Sequence, residues 1–138
     1  MMDNAMEKEA PLAAWSKGIS AITLFVEEME SAKAFYETVL GLPVIFEDDA
    51  STVFKFGHTL VNLLKTTAAP ALIEPATVAS REAGHRFVFT IDVDDVDAMC
   101  VQLVERGVKL LNGPMDRPWG IRTASFVDPS GAIWEIAK

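Results

Sequence analysis

The chain has 138 residues, half of them hydrophobic, with 20 acidic side chains against 12 Lys and Arg, and carries a formal net charge of −8. That length and hydrophobicity suit one α+β domain with a sizeable core. The acidic balance, without a Lys/Arg cluster to neutralise phosphates, argues against nucleic acid and against an anionic membrane surface. No apolar run approaches the ~20 residues that span a bilayer. One cysteine, Cys100, excludes an internal disulfide and suits a reducing compartment, so a cytoplasmic protein is expected. The expected partners are a small molecule and a second copy of the chain.

Residues 1–17 are polar, Ala/Glu-rich and aperiodic; they read as a flexible tail, without the cationic start and apolar block of a secretion signal. Residues 18–138 read as the domain. Ile19–Val26 is rich in β-branched and aromatic residues and predicts a strand. Ala32, Phe35, Tyr36, Val39 and Leu40 then fall on one helical stripe, stopped by Gly41. Short strands fit Pro43–Asp48, Thr52–Phe56 and Leu60–Lys65, separated by the Asp48-Asp49 and Gly57-His58 turns. This first unit spans 18–65.

Thr66 to Gly84 carries Ala, Pro, Thr and Ser without a period and reads as a linker. The second unit, 85–138, then repeats the first. Arg86–Val93 is a strand; Val96, Met99, Cys100, Leu103 and Val104 repeat the helical stripe; Gly107 stops it. Strands near Val108–Leu111, Ile121–Val127 and Ala132–Ala137 follow, with Asp128-Pro-Ser-Gly131 as a tight turn. Val26-Glu-Glu-Met29 lies over Val93-Asp-Asp-Val96 at a shift of 67 residues. The shift grows by about six toward the end, which places an insertion in the Asn112–Trp119 segment, read as a long loop. Two tandem βαβββ units are expected to form a curved eight-stranded mixed sheet, with helices outside and a concave ligand cavity.

The segment Ile19–Val26 followed by Ala34-Phe-Tyr-Glu-Thr-Val-Leu-Gly-Leu42 resembles the opening of domains of the glyoxalase / bleomycin-resistance / extradiol-dioxygenase (vicinal oxygen chelate) superfamily. Val93-Asp-Asp-Val-Asp97, Arg106-Gly-Val108, Trp119-Gly-Ile-Arg122 and Phe126-Val-Asp-Pro-Ser-Gly131 leading to Trp134-Glu-Ile136 carry the same likeness in the second unit. The resemblance implies a divalent metal held at four positions of the concave face. It puts the first-strand ligands of the two units, usually His, at Ala21 and Val88. It puts the last-strand ligands at Asn62 and Glu135. A methyl and an isopropyl group coordinate nothing, and one carboxylate plus one amide falls short of a three- or four-ligand site. No metal or other cofactor is therefore expected, although a two-residue register error would leave room for one.

Strand alternation adds the remaining candidates. It points Ala21, Thr23 and Phe25, and Val88, Thr90 and Asp92, to the concave face, with Ile22, Leu24, Val26, Phe87, Phe89, Ile91 and Val93 toward the helices. Glu135 is read as a catalytic base or ligand acceptor, or as a relic carboxylate satisfied by Arg122 or by water. Asn62 is read as fixing a polar group of a ligand, or as satisfying backbone. Thr23 and Thr90 flank them. Trp119 is available to stack on a planar ligand or to cap the cavity mouth, and Arg122 to clamp a carboxylate or to pair with a surface acid. His58 and His85 sit at turns and read as surface residues; Cys100 faces the core. The leading functional reading is a metal-free protein that binds a small, partly apolar molecule, as bleomycin-resistance-like relatives do. The alternatives are an enzyme of the lyase, isomerase or dioxygenase kind using Glu135 as base or metal ligand, and a structural or regulatory homodimer without a ligand.

Overall fold

The computed structural model describes residues 18–138, so the tail reading of 1–17 lies outside the described residues. Strand β1 (Ala21–Val26) leads into helix α1 (Met29–Ala34), which widens into a π turn over Phe35–Val39. Strands β2 (Val44–Glu47), β3 (Ser51–Phe56) and β4 (Thr59–Lys65) complete the first unit. The segment 66–84, read as a linker, carries a short helix α2 (Pro70–Ile73) and a 3-10 turn Arg81–Ala83. The second unit runs β5 (Phe89–Asp92), α3 (Val96–Glu105), β6 (Leu110–Asp116), β7 (Arg122–Val127) and β8 (Ile133–Ala137). No helix among the described residues is long and apolar enough to cross a membrane.

The two units repeat each other in topology. One sheet has the order β1-β4-β3-β2 and the other β5-β8-β7-β6, each with one parallel pair and two antiparallel ones. The expected eight mixed strands are thus present, divided between two four-stranded sheets. Helices α1 and α3 each follow the first strand of their unit and cover one sheet face. Asp95 caps α3 by accepting the Ala98 N–H at 3.0 Å, and glycines at positive φ (Gly41, 68°; Gly107, 85°) follow each helical segment.

The helix-side faces meet in one core. Leu24 and Val26 from β1, Val61 and Leu63 from β4, and Phe54 from β3 join Ala124, Phe126, Trp134 and Ile136 of the second sheet. Phe35 packs on Phe126, and Phe56 stacks on Trp134 with ring centroids 6.1 Å apart in each pair. Arg106, at the end of α3, donates to the carbonyl of Val39 at 2.6 Å, so the end of one unit's helix is held by a cation from the other.

At the centre, the Tyr36 hydroxyl donates to Asp128 Oδ2, and the Trp134 indole N–H donates to the Tyr36 oxygen at 3.1 Å. The other Asp128 oxygen accepts from the backbone of Ser130 and Ala132 and from the Ser130 hydroxyl, which closes the Asp128–Gly131 turn. Asp128 is only 2% exposed, yet its carboxylate is satisfied on both oxygens.

The element ends differ from expectation chiefly at β6. The segment 112–119 was expected to be a loop, but β6 continues through Asp116. It does so across two register irregularities opposite β7, between Leu110 and Asn112 and between Asn112 and Met115. Part of the added length goes into this longer strand and its two bulges, which bend it, and the remainder into the turn around Trp119.

Burial drives the Tyr36 phenol above its ordinary value of about 10, reinforced by the adjacent Asp128 carboxylate. The folded chain therefore keeps this proton after the unfolded chain has lost it. Its contribution is complete below about pH 10 and declines as the pH rises further. Tyr36 is the only tyrosine, so tyrosinate absorbance reports on it alone. The native chain should develop no tyrosinate on alkaline titration until its circular dichroism signals unfolding. A reversible tyrosinate titration in the folded chain would contradict the buried network.

Candidate functional site

Each sheet turns one face away from the core, and strand parity places the candidate residues there. In the first sheet Thr23 of β1 is directly opposite Asn62 of β4, and Asn62 is opposite Val53 of β3. The Asn62 Nδ2 donates to Thr23 Oγ1 at 3.3 Å, while the buried Asn62 Oδ1 has no hydrogen-bond partner among the described residues. Ala21 lies two residues before Thr23 on the same face. Leu24, Val26, Val61 and Leu63, on the alternate positions, are buried in the core.

The second sheet repeats this arrangement. Thr90 of β5 is opposite Glu135 of β8 and donates its hydroxyl to Glu135 Oε1 at 2.9 Å; Glu135 is in turn opposite Ser125 of β7. Threonine–asparagine in one unit and threonine–glutamate in the other occupy equivalent places, the threonine on an edge strand and its partner on the next strand in. The alternate residues Trp134 and Ile136 are in the core.

Further along this second face lies a residue that sequence reasoning passed over. Arg117, in the turn after β6, donates from Nε to Thr123 Oγ1 at 2.8 Å and from Nη2 to Asn112 Oδ1 at 3.2 Å. Thr123 and Ser125 share a face of β7, and Asn112 is paired with Ser125, so the guanidinium lies over the same sheet surface as Glu135. Trp119 stands beside it, with the Arg117 Cζ 5.8 Å from the ring centroid. The Trp-Gly turn was visible in the sequence. The face of Arg117 was not, because Asn112–Trp119 reads as a loop, and strand alternation has no meaning there.

Arg122 lies on the opposite face. Its Nε and Nη2 donate to Asp97 of α3 at 3.1 and 2.9 Å, and its Nη1 to Asp116 at 3.0 Å. These bonds raise its already high pKa further and occupy the guanidinium on the helix side, where it pairs with surface acids rather than reaching Glu135. His58 and His85 are exposed, and Cys100 is buried, where loss of solvation pushes its thiol up. Trp119 is 68% exposed.

Asn62 and Glu135 were expected to face each other across one concave surface. Within the chain they lie on different sheets that share no ladder. Thr23 lines a cleft of about 290 Å³ with Phe25, His85 and Phe87. Thr90 lines another of about 360 Å³ with Val88, Phe56 and Trp134. Neither Asn62 nor Glu135 lines either cleft.

The sequence model of the Glyoxalase/Bleomycin resistance protein/Dioxygenase superfamily matches residues 18–136. The chain belongs to this superfamily. Among curated proteins it is 35% identical to the uncharacterized protein YraH of Bacillus subtilis (strain 168) over 121 residues, 85% of this chain and 94% of that one. A solved glyoxalase/bleomycin resistance protein/dioxygenase from Nocardioides superposes with a TM-score of 0.82 at 20% identity, covering 96% of this chain and 87% of its own. The lactoylglutathione lyase of Agrobacterium tumefaciens superposes with a TM-score of 0.71 at 21% identity, covering 87% and 92%. At these identities the structural likeness is one of fold.

The superfamily's metal positions can be tested against the side chains present. Ala21 and Val88 offer no donor, Asn62 offers a neutral amide, and only Glu135 offers an anionic oxygen. Among the described residues no group of three or more His, Cys, Asp or Glu is placed to hold a metal ion. This donor set does not fit the metal.

Gly113 shapes the second face. It has a φ of 87°, and a Cβ there would stand 2.5 Å from the Thr123 carbonyl oxygen and 2.7 Å from Ala124 Cα. Both contacts are backbone, so relief requires β6 to move away from β7. Gly113→Ala should cost about 2–4 kcal/mol, read as a lowered denaturation midpoint. A midpoint unchanged by this substitution would refute the tight β6–β7 approach.

Proposed function

We propose that the chain binds a small, partly apolar molecule on its open sheet faces without a catalytic metal. The observation that carries this reading is the substitution of Ala21 and Val88 at two of the four metal positions, with Asn62 and Glu135 retained as polar groups oriented by Thr23 and Thr90. A mostly apolar surface with a few convergent hydrogen-bonding groups suits a small organic ligand. In the Agrobacterium relative named as a lactoylglutathione lyase the fold is used for catalysis, and one feature favours an enzyme here. Glu135 has one oxygen held by Thr90 and no other hydrogen-bond partner among the described residues, which leaves its second oxygen free to act as a general base. Protein purified without added metal should contain far less than one transition-metal ion per chain. Small molecules that raise its melting temperature should do so in the presence of a chelator, and less so after Glu135→Gln. One tightly held metal per chain, or hits that need added metal, would overturn the reading.

We further propose that the chain works as a homodimer in which the open face of one unit is covered by a second copy, bringing an Asn62 half-site over a Glu135 half-site. Two features support this. Among the described residues strands β1, β2, β5 and β6 are unpaired sheet edges, and the same open faces carry Phe46, Val88 and Met115, which are 53%, 49% and 37% exposed. Light scattering should give twice the chain mass of 15.1 kDa. A monomer mass throughout the micromolar range would rule the pairing out.

A further inference from the structure

The chain's acids outnumber its cations, and the Arg122 guanidinium is matched by two carboxylates. Arg117 is different. It is half-buried, held in place by two neutral side chains, and has no carboxylate within ion-pair distance among the described residues. Thr123, which fixes Nε, is fully buried beneath it. Bonds to Thr123 and Asn112 use one proton on Nε and one on Nη2, so three of the five guanidinium protons remain for another acceptor. A cation held in one orientation by neutral groups has lost conformational freedom without being neutralised, and both features favour capture of an anion.

We infer that Arg117, not Arg122, is the anion-recognising residue of this face, and that the ligand carries an oxyanion joined to a planar apolar body. The inference rests on the binding reading above. The oxyanion, carboxylate or phosphate, takes the free guanidinium edge. The planar body lies against Trp119, whose ring stands 5.8 Å from the Arg117 Cζ. Thr123 and Glu135 are separated by two residues along β7 and one strand spacing, which corresponds to about 8 Å. A small molecule held at Arg117 therefore reaches the Glu135 carboxylate with its other end. That end must be neutral or a donor, because Glu135 and Asp92, the acids on this face, repel a second negative group.

The test uses the full chain and three probes: benzoate, phenyl phosphate and neutral benzamide. In two-dimensional NMR, benzoate or phenyl phosphate should move the Arg117 side-chain N–H and the Trp119 indole N–H saturably, and benzamide should not. The two anions distinguish a carboxylate site from a phosphate site. Arg117→Gln should weaken the binding of the anion about tenfold or more, whereas Arg122→Gln should leave it unchanged. Arg117→Lys, which keeps the charge and loses the fork, should retain part of the affinity and guards against misfolding of the glutamine variant. Equal response to benzamide, or undiminished binding in Arg117→Gln, would overturn the assignment. Anion binding that is lost in Glu135→Gln but kept in Arg117→Gln would also overturn it while leaving the binding reading in place.

Discussion

The buried bridge from Tyr36 to Asp128 and Trp134 is the contact on which the rest of the structure depends. Tyr36 belongs to the helical segment of the first unit, and Asp128 and Trp134 to the last turn and last strand of the second. A buried carboxylate is tolerated only if it is fully bonded. Asp128 meets that requirement by joining a hydroxyl from one unit to the backbone of its own turn. The bridge therefore locks β8 in register with the core. It also fixes which residues of β8 face inward, with Trp134 on the core side and Glu135 on the other.

From that constraint follows the separation of roles between the two sheet faces. The faces that meet in the core are apolar and tightly packed, so they have no freedom to serve a ligand. The opposite faces carry polar residues in matched places, Thr23 with Asn62 and Thr90 with Glu135, and differ between units by one charge. The duplication supplies the symmetry, and Ala21 and Val88 leave two of the four positions that the family resemblance assigns to a metal without a donor group. What remains is a surface of hydrogen-bonding groups on apolar strands, with a charged group at one end. Arg117 and Trp119 extend that surface toward β6, whose bulges carry the chain around the edge of the sheet.

The two arginines illustrate how far local reading extends. Arg122 was a reasonable candidate because it stands beside a Trp-Gly turn, and Arg117 has the same turn on its other side. Their fates were decided by partners elsewhere in the chain. Asp97 of α3, 25 residues away, draws Arg122 to the helix side. Asn112 and Thr123, brought together by the pairing of β6 with β7, hold Arg117 over the open face.

The amino-acid sequence by itself determined the βαβββ repeat, the phase of both helical stripes, the core position of Cys100, and the side of the strand on which Thr23, Asn62, Thr90 and Glu135 lie. These depend on periods of 2 and 3.6 residues, which are local properties of the backbone. Only the tertiary structure decided that the eight strands form two separate sheets, that Asn62 and Glu135 lie on different ones, and that Arg117 rather than Arg122 shares a face with Glu135. Pairing between distant segments leaves no periodic trace in either of them. A bulge goes further and reverses the parity of the residues beyond it until a second bulge restores it, so counting along β6 from Leu110 misplaces Asn112, whose side chain helps to hold Arg117.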